Sequence, residues 1–90
     1  MDKNKIALSS LALDLRRVAL GYHRGSEKMA DRFYEEALMR KEEIVLDSLK
    51  PYLQVLLKKF ESLSLEENHI KRAESALMYS TLFQNAALNL

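Results

Sequence analysis

Apolar residues recur along this chain at helical intervals. From Leu8, the positions Leu11, Leu15, Val18 and Tyr22 follow at spacings of 3, 4, 3 and 4 residues, the repeat that aligns side chains on one face of an α-helix. The pattern predicts a first helix from about Asn4 to His23. Asn4 is its expected N-cap, and His23 and Arg24 place positive charge where the helix dipole favours it. Gly25 can take the left-handed position that ends a helix. Leu13 and Leu20 fall off the stripe, so this helix is apolar on more than one side. Burial between two neighbours accounts for that most simply, and a second contact face is the functional alternative.

Three more helices are predicted. One runs from about Ser26, its N-cap, to Leu46, with Met29, Phe33, Ala37, Arg40 and Ile44 as inner stripe. A third spans about Ser48 to Leu63, with Pro51 in the first turn, where a missing N–H is harmless. Leu49, Leu53, Leu56, Leu57, Phe60 and Leu63 give it the densest apolar face, so it is expected at the centre of the core. The fourth opens at Ser64 and Glu67, spaced as a capping box. It continues inward through Ile70, Ala73, Leu77 and Ser80, and then Phe83 and Ala87. A Glu67–Lys71 pair at i,i+4 is favourable for it.

The only strong helix breakers are Gly21, Gly25 and Pro51, and they fall at the joints. Short joints connect antiparallel neighbours. The expected fold is therefore all-α: one domain, residues 1–90, forming a small up-down four-helix bundle. The alternative is a helix running unbroken through Gly21–Gly25, giving a helical hairpin completed by dimerisation.

The run Gly25-x4-Ala30-x3-Tyr34-x2-Ala37-Leu38 resembles the second-helix half of a tetratricopeptide repeat. The likeness covers these fourteen residues. The preceding helix lacks the matching Trp, Leu-Gly and Tyr spacing, and residues 60–90 do not repeat the pattern. What the resemblance implies is local: small residues that let helices approach closely, and an aromatic that fills the gap.

Composition bears on this fold in two ways. Ninety residues bury only a modest core, and without a cysteine no disulfide or thiolate metal site can reinforce it. Self-association is the remaining way to bury more surface. Charge is balanced overall, 14 basic against 13 acidic residues for a net +1, yet unevenly placed. The second helix is the acidic one. Arg16, Arg17, His23, Arg24 and Lys28 cluster about the first joint, and Ser75 to Leu90 carries no charge.

Candidate chemistry is sparse. Glu66-x-x-His69 is half of a carboxylate-bridged di-metal pattern, but His23 has Leu20 where the second copy needs a glutamate. Adjacent acids such as Glu35-Glu36 and Glu42-Glu43 diverge by about 100° on a helix. Neither histidine lies beside a nucleophile elbow, and two glycines make no phosphate loop. No catalytic residue, cofactor or metal is therefore expected. The uncharged tail is too short and too polar to span a bilayer. The start, Met1-Asp2-Lys3-Asn4-Lys5, is followed by only a short apolar run broken by Ser9, Ser10 and Asp14, unlike a signal peptide. A cytoplasmic location with no membrane contact is the expectation.

Two functions compete. In the first, the chain is a self-associating protein–protein interaction or assembly module, a homodimer with Leu13, Leu20, Met78, Leu82, Phe83 and Leu88 at the interface. In the second, it is a small nucleic-acid-associated regulator whose phosphate contacts are Arg16, Arg17, His23, Arg24 and Lys28. The second lacks a helix face carrying several Arg, Asn or Gln residues to read base edges.

Overall fold

The computed structural model describes residues 2–90 and places four α-helices in them: α1 (Lys3–His23), α2 (Glu27–Glu42), α3 (Pro51–Lys59) and α4 (His69–Leu88). The cap of α1 is Asp2, whose Oδ1 accepts from the Asn4 N–H at 2.8 Å. At the other end Gly25 adopts φ 75°. The Ser26 N–H bonds the Gly21 carbonyl at 2.8 Å and the Gly25 N–H bonds the Tyr22 carbonyl at 3.2 Å. These are the paired reversed bonds of a Schellman stop. Gly21–Gly25 is thus a turn and not the middle of one long helix.

Asn4, expected as a cap, is instead buried at the second turn position and holds the far end of α2. Its amide accepts from the Val45 N–H at 2.9 Å and donates to the Val45 carbonyl at 3.0 Å. Val45 therefore has its backbone partners outside a helix. This is why α2 stops at Glu42, short of the Leu46 that periodicity suggests. A single 3-10 turn, Leu46–Ser48, leads to α3.

The third helix also ends early, turning into a 3-10 stretch at Phe60–Leu65. The Tyr34 hydroxyl donates to the carbonyls of Phe60 at 3.2 Å and Glu61 at 2.7 Å, groups that a longer α-helix would use internally. The fourth helix starts at His69, because Asn68 is its cap. Asn68 Oδ1 accepts from the N–H groups of Ile70 and Lys71 at 2.9 and 3.1 Å. Ser64 lies in the 3-10 stretch, so the Ser64–Glu67 capping box does not form. Arg72 explains it: its guanidinium donates to the carbonyls of Ser64, at 2.7 Å, and of Glu66, drawing that loop back along α4.

The helices run up, down, up and down. One cluster of the core joins Ala7, Leu8, Leu11 and Leu15 to Ala37, Ile44, Leu53, Leu57, Phe60, Phe83 and Ala87. The other joins Val18, Ala19 and Tyr22 to Ala30, Leu63, Ala73 and Ala76. The central element is α1, with eleven buried residues, whereas α3 buries only Leu53 and Leu57. The apolar face expected of this segment is buried at Leu49, Leu53, Leu57, Phe60 and Leu63 and only partly so at Leu56, but just two of the buried positions lie within the shortened α3. The centre belongs to the helix packed on two sides. One chain closes this core without a partner, in an envelope of 36 × 21 × 19 Å.

Small residues govern how closely α1 is approached. Ala12, Ala19 and Gly21 on α1 face Ala73, Ala76 and Ser80 on α4 and Ala30 on α2, all of them buried. In the tetratricopeptide-like run, Ala30 and Ala37 pack inward and Tyr34 fills the gap towards Phe60, ring centroids 6.3 Å apart and edge to face.

Candidate functional site

The inward line of α4 is Ala73, Ala76, Ser80, Phe83 and Ala87, again at intervals of 3, 4, 3 and 4. Ser80 is fixed there by donating to the Ala12 carbonyl at 2.6 Å. Because this line is made mostly of small residues, α4 lies close against α1 and its larger side chains are turned outward. Ile70 and Leu77, expected inside, are 55% and 49% exposed. Size decides the matter: the stripe through Ile70 and Leu77 has the right spacing but is too bulky for a helix pair approaching on alanine and serine.

The outcome is a broad face made by the outer sides of two antiparallel helices. On α1 the middle of the solvent side is Ile6, Leu13 and Leu20, seven residues apart and 49%, 48% and 40% exposed. Leu77 stands opposite Leu13. Between them runs a groove of about 290 Å³, floored by Ala12 and Ser80 and walled by Leu13, Arg16, Leu77, Thr81, Gln84 and Asn85. Thr81 turns its hydroxyl back to the Leu77 carbonyl at 3.1 Å, leaving Arg16 as the one charge in the groove wall.

The expected interface residues separate into three groups. Leu13 and Leu20 lie on this face, and Leu88 is exposed towards the end of α4. Met78 and Leu82 are exposed as well, but lie about 100° or more around α4 from Leu77 and belong to a different flank. Phe83 cannot be a contact residue. It is fully buried, edge to face with Phe60 at 5.9 Å and stacked on Tyr79 at 6.1 Å, because it falls on the inward line of α4. Ile6, Ile70 and Leu77 complete the face and were missed. Their signal in the sequence is the seven-residue spacing of large residues beside a stripe of small ones.

The basic cluster is also divided. Arg16 lines the groove. Arg17 turns towards α2, its guanidinium 5.1 Å from the Phe33 ring centroid and 3.7 Å from Asp14 Oδ1. His23, Arg24 and Lys28 are exposed about the first turn, next to Glu27 and Asp31.

A second polar grouping sits at that end of the bundle. The Tyr22 hydroxyl donates to Asp31 Oδ1 at 3.0 Å and accepts from Arg72 at 3.3 Å, while Arg72 also lies over the Tyr22 ring at 5.6 Å. His69 packs against Tyr22, ring centroids 5.5 Å apart, with Nδ1 3.1 Å from Glu27 Oε1. Burial, and then the bond to Asp31, push the Tyr22 phenol above its ordinary pKa, so it stays protonated and serves as a donor. Glu66, the other half of the metal-like pair, accepts from the Asn68 N–H at 3.1 Å. The pair is thus divided, Glu66 against the Asn68 cap and His69 against Glu27 and Tyr22, and the described residues hold no group of three or more metal-ligating side chains. The hydroxyls of Ser48, Ser62, Ser80 and Thr81 all donate to backbone carbonyls, so none of these four is hydrogen-bonded to a histidine base. The cluster is built to hold α1, α2 and the start of α4 together.

Among the described residues no helix is long and apolar enough to cross a membrane. No protein-family model matches the chain, and neither a curated protein nor a solved structure shows significant similarity to it.

Proposed function

We propose that this chain is a non-enzymatic interaction or assembly module that presents the outer face of α1 and α4 to another protein surface. The observation that carries this reading is the alignment of Ile6, Leu13 and Leu20 beside Ile70 and Leu77, large apolar side chains 40% to 55% exposed on one face of a chain that already closes its own core. Scattered apolar residues are ordinary on a protein surface, whereas a contiguous patch marks a contact site. A cytoplasmic setting is in keeping with a chain that has no cysteine. The nucleic-acid reading draws less support, because Arg16 and Arg17 point to different sides of α1 and acidic Glu27 and Asp31 stand among the remaining bases.

The test is a photo-crosslinking side chain placed in living cells at Leu13, at Leu77 or, as control, at Lys58, which is exposed on α3. Protein adducts from the first two positions and not from the third support the reading. No adducts at Leu13 or Leu77, or equal yields at Lys58, reject it.

A further inference from the structure

We infer that the occupant of the α1–α4 face is a second copy of this chain, related by a twofold axis parallel to the helices, so that α1 of each copy packs on α4 of the other. This rests on the reading above that the face is a docking surface, and it adds the partner and the register.

The two halves of the face are complementary to each other. The solvent side of α1 carries Leu13 and Leu20 with Arg16 between them. The solvent side of α4 carries Leu77 and Ile70, also seven residues apart, with Glu74 between them. Arg16 and Glu74 are both exposed, and neither takes part in an ion pair among the described residues. Heights along the bundle are fixed by contacts already given: Ser80 bonds Ala12, and His69 and Arg72 pack on Tyr22. Leu13 is therefore nearly level with Leu77, Leu20 with Ile70, and Arg16 lies between Leu77 and Glu74.

Rotation by 180° about an axis parallel to the helices exchanges the two sides of the face and keeps every height. It sets Leu13 against the partner's Leu77, Leu20 against the partner's Ile70, and Arg16 beside the partner's Glu74. Each contact occurs twice, as an isologous interface requires. The seven-residue spacing is the one that keeps a seam in register between packed helices. A twofold axis perpendicular to the helices would lay α1 on α1 and α4 on α4, leaving Arg16 and Glu74 without a counter-charge. Beyond Glu74, α4 carries no charge to oppose a copy of itself.

The size also fits. Two helices of about 20 residues span about 30 Å, and side by side about 20 Å. That is roughly 600 Å² per copy, or roughly 1,200 Å² in total, the lower bound for a specific pair. The dimer is therefore expected to be reversible and concentration-dependent.

The absence of cysteine allows a direct test. Leu13→Cys and Leu77→Cys chains, distinguishable by mass, are mixed in equal amounts and oxidised gently. Both positions are half-exposed, so the fold is kept. The expected product is the mixed disulfide, in clear excess over either like-with-like disulfide. In sedimentation, Arg16→Glu should raise the dimer dissociation constant about tenfold, and Arg16→Glu with Glu74→Arg should bring it back to within about threefold of the parent. A Leu13→Cys homodimer as main product, a chain monomeric at every concentration, or an Arg16→Glu variant that dimerises normally would each overturn the inference. Adducts with a different protein at Leu13, from a chain that never dimerises, would overturn it while leaving the docking face in place.

Discussion

A methyl group on Gly21 would lie 2.8 Å from the backbone nitrogen of Ala30 and 2.9 Å from its Cα and Cβ. The neighbour in question is mainly backbone and cannot swing away. Gly21 is therefore where α1 and α2 touch, and its helical position is otherwise unfavourable for glycine by about 1 kcal/mol.

Gly21→Ala should thus destabilise the fold despite the better helix former, with the overpacking of about 1–3 kcal/mol exceeding the gain in propensity. Gly25→Ala offers the contrast. Apart from its chain neighbours, no atom of the described residues lies within 4 Å of its Cβ position, but φ is 75°, so its loss of about 1–2 kcal/mol comes from the left-handed backbone alone. Urea melts of both variants check this. A stabilised Gly21→Ala would mean that the two helices sit farther apart.

Asn4 makes the prediction that separates a cap from a latch. As the latch between α1 and Val45, its removal takes the partner of the Val45 N–H, while the Val45 carbonyl keeps the Ser48 hydroxyl, so Asn4→Leu should lose about 1–3 kcal/mol. Asn4→Asp keeps the acceptor for the Val45 N–H and lacks the donor for the Val45 carbonyl, so it should fall in between at neutral pH. Amide exchange at Val45 should quicken in both. Full protection at Val45 in Asn4→Leu would show that the backbone there finds other partners.

The helical character of the chain, the joint at Gly25 and the Leu8–Tyr22 stripe were legible because each depends on residues a few positions apart. What was not legible depends on distant partners. Tyr34 ends α3 from 26 residues away, Asn4 ends α2 from 41 away, and Arg72 prevents the Ser64 cap by taking its carbonyl. Spacing could not choose between the two stripes of α4 either, since both have helical period and only the close approach to α1 selects alanine over leucine. The same ambiguity affects α3. Leu57 is fully buried and Leu56 only partly so, so Leu57→Ala should cost about 2–5 kcal/mol and Leu56→Ala clearly less.

Arg72 tests whether the polar end of the bundle is structural. It donates to two loop carbonyls and to Tyr22 in a planar fork that lysine cannot reproduce. Arg72→Lys should therefore lose about 1.5–3 kcal/mol while keeping its charge, and Tyr22→Phe should lose less. The 3-10 stretch ahead of α4 should become the first part to exchange its amides. If Arg72→Lys melts like the parent, charge alone holds that loop.

Asp14 sets the pH dependence. It is buried between α1 and α2, and its Oδ2 has no hydrogen-bond partner among the described residues. Arg17 at 3.7 Å and Arg40 at 4.0 Å face it at distances too long for strong bonds, and Glu36 adds repulsion from α2. Burial, and then Glu36, raise its pKa above the ordinary value, with Arg40 and Arg17 opposing. The folded chain thus holds this proton more tightly than the unfolded one. The extra stability is full below the unfolded value of about 3.9, and is lost as pH rises through the higher folded value. Asn in place of Asp cannot lose the proton and fills the same space. Asp14→Asn should therefore match the parent in acid and gain on it as pH rises towards neutral, by about 1.4 kcal/mol for each unit by which the folded value is raised. Melting temperatures of the two chains, taken across that range, measure the gap directly. A parent that becomes more stable than Asp14→Asn with rising pH would show instead that the two arginines outweigh burial and bind the charged form.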